Sequence, residues 1–483
     1  MNEKIGEQSG EADGINEKIS RLRYGVIHSQ IGFSDGVSIV MEQMESVLTE
    51  NLNISKNNIL YLVGKSNVES KRVTEAEVLW DRYKINLMML SHFESGFGGG
   101  LSEKIELAIW NARAVIEKWI SDNKIDILIV HNSSHPVNFI SSVALSRFYR
   151  DSIRRGKKTP KYILWWHDSH VERKHFKNPS RDVEKYLLEG VPGRFVEYVV
   201  FINNLQLSEA HDYFLRIDKR YPGFYKRILS NYNVAYNTTN TFIDSFRDIE
   251  NSENNVRLKR FMKDFKVESV LNRHHLKLKE VLFCLQHTRV IERKRIDFAL
   301  KYCYELLSMA KKEKFKAIYF LVSGQIAEPR LRKKLELLNT KLYKKHGAKV
   351  FLVFAEDYSS KTKISFNEYP MIFAKLGGFS SYFSEVEGFG NNLLEVLASG
   401  LIPVVYKYPV FKRDIEKYNF ELLALDEFKI REEDLKETLK IIKKKRKKKK
   451  MVNRNLEILR EHFPHNVLAM KLMEAITKER GHI

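Results

Sequence analysis

From residue 21 onward, short apolar runs alternate with longer amphipathic stretches. Runs at 24–28, 58–63, 85–90, 125–131, 162–167 and 198–203 read as strands. Between them, residues 102–120 and 137–149 carry apolar positions at helical spacing. Strands alternating with helices of this size predict βαβ units around a parallel sheet. The pattern lapses over 238–279, which is highly charged without a clear strand and reads as a helical, polar connector. It resumes at 280–286, 317–323, 349–354, 381–384 and 402–406, and predicts a second parallel sheet. Residues 436–480 read as helices, and no repeat of solenoid length is present. The expected fold class is α/β, with two Rossmann-like, doubly wound parallel-sheet domains. Ligands in such sheets bind beyond the carboxyl ends of the strands, so two facing domains would create a cleft.

Composition narrows the function classes. At 483 residues the chain is long enough for two or three globular units, and 43% hydrophobic content can fill their cores. Its longest apolar runs are far below the ~20 residues that cross a bilayer. The first twenty residues hold five acids and two lysines, which fits neither a signal peptide nor a transit peptide. Two cysteines, Cys284 and Cys303, make neither a disulfide scaffold nor a zinc ribbon and point to a reducing, cytoplasmic setting. The formal charge of +21 would suit a nucleic acid, an anionic membrane or an anionic small molecule. Eight of those charges sit in the unbroken basic run 443–450.

Chemistry concentrates in two places. Glu387, Gly388, Phe389 and Gly390 follow a predicted strand, and Asn391, Asn392 and Leu393 open the helix that carries Glu395. The glycines allow a tight turn and a close ligand approach. The helix start would direct N–H groups and a positive dipole end at an anion. Glu387 and Glu395 bracket the turn, where they could accept hydrogen bonds from sugar or ribose hydroxyls. Taken alone, the stretch also fits a glycine-bearing loop with a glutamate on a solvated helix face. The second place is the run Arg289 to Arg295, after the strand ending at Gln286. A helix starting near Glu292 or Arg293 would gather three cations where the dipole disfavours them, which an anion in the turn would offset. Arg289 supplies a planar fork and Lys294 a point charge, a pair suited to a diphosphate. The alternative is a solvated basic helix start.

In this order and about a hundred residues apart, the two motifs resemble the donor domain of retaining glycosyltransferases of the GT-B fold, specifically glycosyltransferase family 4 (glycosyl transferases group 1). The likeness rests on Glu387, Gly388, Phe389, Gly390, Glu395, Gly400, Pro403 and Val404, and on Arg289 with Lys294 five residues later. The resemblance implies that Glu395 binds the nucleotide ribose, Glu387 contacts the transferred sugar, and Arg289 and Lys294 hold the diphosphate. It implies a nucleoside-diphosphate sugar as co-substrate, no other cofactor, no metal, and a sugar, glycan or lipid-linked acceptor. The amino-terminal half adds a loop from Ser29 to Ser38, with Ser34, Asp35 and Gly36, resembling the family's loop toward the donor phosphates. The adjacent double glycine of many relatives is missing there. His167, closing 162–167, resembles the family's histidine beside the reacting sugar, and 228–231 resembles the strand that ends the first domain. The expected organisation is a disordered tail at 1–20, an acceptor-side domain at 21–245, a connector at 246–279 and a donor domain at 280–463. A helix at 464–480 is expected to pack back on the first domain.

Other motifs lead elsewhere and fail. Gly64, Lys65 and Ser66 suggest a phosphate loop, but Ile59 stands where its first glycine belongs. Gly96 to Gly100 lacks the third glycine of a dinucleotide fingerprint, because position 101 is Leu101, and reads as a mobile loop. His167, His170 and His175 with Asp168 do not match metal-ligand spacing. Two further readings stay open. In one, an enzyme on the inner face of the membrane acts on a lipid acceptor and the run 443–450 meets anionic lipid; that run would otherwise be the solvated end of a lysine-rich helix. In the other, suggested by charge alone, the chain binds nucleic acid, although no helix-turn-helix, zinc-finger or RNP-type signature is present and no nucleic acid is expected.

Overall fold

The computed structural model describes residues 14, 17–33, 35–173, 176–226, 228–239, 243–310 and 315–480. Two compact units emerge, one of Met1–Asn237 with His465–Ile483, the other Thr238–Pro464. In the first, seven parallel strands run β1 (Tyr24–Ile31), β2 (Ile59–Ser66), β3 (Val73–Glu75), β4 (Ile127–His131), β5 (Lys161–Trp166), β6 (Tyr198–Phe201) and β7 (Tyr232–Val234). Their order across the sheet is β3-β2-β1-β4-β5-β6-β7. Side chains alternate between two buried faces. Leu128, Val130, Leu164 and Trp166 pack with the helices Gly99–Asn123 and Phe139–Arg154, while Ile127, Ile129, Ile163 and Trp165 pack against Met41, Met44 and Leu472. Burial on both faces explains why these strands read as continuous apolar runs.

The second unit holds β8 (Val281–Gln286), β9 (Ala317–Val322), β10 (Lys349–Phe354), β11 (Phe379–Tyr382), β12 (Pro403–Tyr406) and β13 (Leu423–Leu425). Their order is β10-β9-β8-β11-β12-β13, again all parallel. In both sheets the strand order reverses beside the first strand, which opens a switch point at the carboxyl end. The α/β class with two doubly wound parallel sheets is therefore borne out.

Several local expectations change. Residues 85–90 form part of a helix, Lys84–Ser91, not a strand. An apolar run of six residues fits either period, and Asn86, buried and donating to the Trp80 carbonyl, ties this one to a helical turn. Gly99 and Gly100 begin the helix Gly99–Asn123, and Gly96 alone keeps a left-handed backbone (φ +85°) in the loop before it. Gly64 lies inside β2, where an added Cβ would stand 2.2 Å from the Trp80 backbone. The strand expected at 228–231 falls at Tyr232–Val234, and β3 and β13 are too short to have stood out.

The tail expected at 1–20 lies largely outside the described residues, but Glu17–Ser20 is helical and Ile19 is buried. The Ile19 carbonyl accepts from the Tyr24 hydroxyl at 2.9 Å. The stretch 246–279 belongs to the second unit and does not stand apart as a connector. Phe261 and Phe265, on the helix Ser252–Asp264 and just after it, pack against Tyr319, Phe373 and Tyr369. The boundary accordingly falls after Asn237, not after residue 245. The helix His465–Thr477 packs on the first unit, where Asn233 donates to the Lys471 carbonyl and Tyr198 to Glu474.

Candidate active site

In the second unit the loops after β8 and β11 are locked together at the carboxyl end of the sheet. The expected helix start at 292 or 293 is a 3-10 turn, Glu292–Lys294, and the α-helix Ile296–Ala310 follows it. Arg295 takes a left-handed conformation (φ +47°) between them. It is paid off by Asp297 and Glu385, which accept from its guanidinium at 3.0 and 2.6 Å, and by stacking over Phe428. The turn aims Arg293 and Lys294 at one carboxylate. Lys294 Nζ donates to Glu387 Oε1, Arg293 to Glu387 Oε2 at 3.0 Å, and the Tyr382 hydroxyl to Oε1 at 3.0 Å. Arg293 also donates to the Val386 carbonyl.

Glu387 and Lys294 are both buried. Burial raises the Glu387 carboxyl, but Lys294 and Arg293 outweigh it and hold the group down at about 2. Glu387 is thus an acceptor-only carboxylate with positive charge on one side. Arg289 stands half-buried, its guanidinium without a hydrogen bond or ion pair among the described residues, and its charge bears on Lys294. Its backbone passes within 2.6 Å of where a Cβ on Gly324 would sit, so the loops after β8 and β9 touch through a glycine.

Gly390, at φ +121°, lets the chain turn from Glu387 into the helix Asn391–Ala398, with the Tyr408 hydroxyl donating to the Phe389 carbonyl at 2.7 Å. The first turn of that helix leaves backbone N–H groups directed at its N-terminal side. The Asn392 side chain donates to the His287 carbonyl at 2.5 Å. Leu393 is fully buried and its amide donates to the Gly390 carbonyl at 2.9 Å. Glu395 meets His287 Nε2 at 3.1 Å, and His287 Nδ1 lies 2.9 Å from the Ser323 hydroxyl. The His287 ring stacks on Phe366 at 4.0 Å. Sequence reasoning missed His287, Arg293 and Tyr382 as partners of the two glutamates. The adjacency of His287 and Arg293 to Arg289 and Lys294 was the one available signal.

The first unit assembles a separate group. Asp35 caps the helix Gly36–Ser46, accepting from the Val37 and Ser38 amides and the Ser38 hydroxyl. Gly36 is exposed with open space around its Cα, and Ser34 lies outside the described residues. His167, just past β5, meets His131 Nδ1 through Nε2 at 3.0 Å, and His131 stacks on Trp165. Burial drives His167 down to about 3, so the ring is neutral near pH 7. His131 is lowered too, by burial and by the neighbouring histidines. His175 lies outside the described residues. Among the described residues no group of three His, Cys, Asp or Glu is placed to hold a metal ion.

No family model matches the chain. Two curated proteins named mannosylglucosylglycerate synthase are similar to it. The one from Petrotoga mobilis is 24% identical, covering 84% of this chain and 86% of its own. The one from Thermotoga maritima is 23% identical, covering 92% and 95%. A glycosyltransferase from Rickettsia africae shares the fold with a TM-score of 0.58 at 15% identity, over 95% of this chain and 99% of its own. Sequence and fold likeness together bear out a glycosyltransferase of GT-B architecture that resembles family 4.

Proposed function

We propose that this chain transfers a hexose-type sugar from a nucleoside diphosphate to a hydroxyl of a sugar or glycoside acceptor, with retention at the anomeric carbon and without a metal. The observation that carries the reading is Arg289, an uncommitted, half-buried guanidinium beside Lys294 at the carboxyl end of the second sheet. The names of the curated relatives support a sugar-type acceptor.

In this reading Arg289 forks onto the diphosphate. Lys294 adds a second contact without leaving Glu387, because an ammonium has three donors. As the bond between the anomeric carbon and the phosphate oxygen breaks, negative charge grows on the leaving group. The two cations and the helix N–H groups are already oriented toward it. The acceptor oxygen bonds to the face of the sugar that the phosphate leaves, and its proton passes to the departing phosphate oxygen. Glu387 orients sugar hydroxyls and Glu395 takes the ribose. His167, neutral near pH 7, is a hydrogen-bonding group that does not titrate during turnover.

Thermal unfolding across a panel of UDP-, GDP- and ADP-sugars tests this. One nucleotide family should raise the midpoint in proportion to the logarithm of its concentration. The anomeric configuration of the product, read by NMR, decides retention. A panel without a stabilising ligand, or an inverted product, would sink the proposal.

A further inference from the structure

At the opposite, amino-terminal end of the second sheet lies a cavity of about 660 Å³ that the transfer reaction does not use. Its walls are the start of β8 at Phe283, Leu258 from the helix Ser252–Asp264, Leu376, and Ile442 from the helix Glu432–Lys443. Leu278, 45% exposed, stands at its mouth with exposed Lys277 and Lys279 on either side in sequence. The basic run begins where this wall ends. Lys443 closes the helix that supplies Ile442, Lys444 links the two helices, and the helix Lys445–His462 carries the other six residues of the run.

That run is not one solvated patch. Lys448 is buried and donates to the Gly378 carbonyl at 2.9 Å, one residue past the lining Gly377, and Lys447 pairs with Glu437. Lys448 therefore fixes the orientation of its helix against the cavity floor. Lys445 and Lys449, four residues apart, share one exposed face of that helix. Lys445 lies close enough to Glu250 to act on that carboxyl, whose partner, Lys375, lines the cavity. Lys277, Lys279, Lys444, Lys445, Arg446, Lys449 and Lys450 are exposed and make no ion pair among the described residues.

An apolar recess with an exposed leucine at its mouth, beside unpaired cations, matches the boundary of an anionic bilayer. Acyl chains would enter the recess while headgroup phosphates meet the lysines. We infer that this end of the second unit docks on a membrane surface carrying anionic phospholipid. The inference stands apart from the transfer chemistry, since none of these residues belongs to the donor site.

The full chain, mixed with vesicles of phosphatidylcholine containing phosphatidylglycerol, should sediment with them at low salt and be released as salt rises. It should not sediment with pure phosphatidylcholine. The combined variant Lys277→Gln, Lys279→Gln, Lys445→Gln, Lys449→Gln should lower the partition coefficient by about three orders of magnitude. Leu278→Gln should weaken binding while leaving its salt dependence. Both variants alter exposed side chains and should keep the wild-type melting midpoint and transferase rate on a soluble acceptor. Equal binding to neutral vesicles, wild-type binding by the four-residue variant, or binding to RNA without binding to anionic vesicles would each overturn the assignment.

Discussion

Lys294 and Glu387 form a buried ion pair that joins the loop after β8 to the loop after β11, each side chain only 8% exposed. Removing one member leaves the other charged and without its main partner, a loss of ~3–5 kcal/mol for pairs of this kind. Lys294→Met should lower the melting midpoint by several degrees and abolish turnover. Lys294→Met combined with Glu387→Gln should recover much of the stability and none of the activity. Recovery of both in denaturation and rate assays would mean the pair is structural only.

Arg289→Ala should separate function from folding. The guanidinium makes no bond among the described residues, so the unfolding midpoint should stay within about a degree of wild type. Turnover should fall by at least about a hundredfold, and Arg289→Lys should restore little of it, since an ammonium cannot fork onto two phosphate oxygens. Unchanged steady-state rates would remove Arg289 from the donor site.

Glu395→Ala should weaken nucleoside diphosphate binding by about ten- to a hundredfold, the worth of a hydrogen bond to a charged group. Calorimetric titration would report it. Because His287 Nε2 loses its partner in the same variant, Glu395→Gln serves as the control that keeps a group opposite the ring.

Stability should depend on pH through two sets of groups. Glu387 falls from 4.5 to about 2 on folding, so its contribution is complete above 4.5 and drains away as pH drops toward 2. His167 is lowered from 6.5 to about 3, and the unfolded chain therefore binds a proton that the folded chain refuses across that window. Acidification below 6.5 should already destabilise the protein, and His167→Asn should flatten the slope of unfolding free energy between pH 6.5 and 3. A denaturation series that keeps the wild-type slope in this variant would refute the assignment.

The candidate donor site was legible because its signal is contiguous. Glu387, the glycines and Glu395 fall within one loop and one helix, and their spacing alone places the two carboxylates on either side of one turn. What stayed hidden is what distance in the chain conceals. Nothing in the local pattern around Glu387 states that Arg293, 94 residues earlier, would hold its second oxygen, or that His287 would meet Glu395 across 108. The helix Lys84–Ser91 was misread because so short an apolar run carries no period. The connector was misread because Phe261 and Phe265 bury their rings from an otherwise charged helix.

The helix His465–Thr477 gives Leu468, Leu472 and Ile476 to the core of the first unit. Lys161 of β5 also donates to the Ile476 carbonyl at 3.0 Å. The second unit, by contrast, is one uninterrupted segment, Thr238–Pro464. On the ribosome the order of completion is therefore reversed relative to the order of synthesis. The unit begun first waits with part of one sheet face uncovered until the helix His465–Thr477 emerges, while the unit begun second has all its parts beforehand.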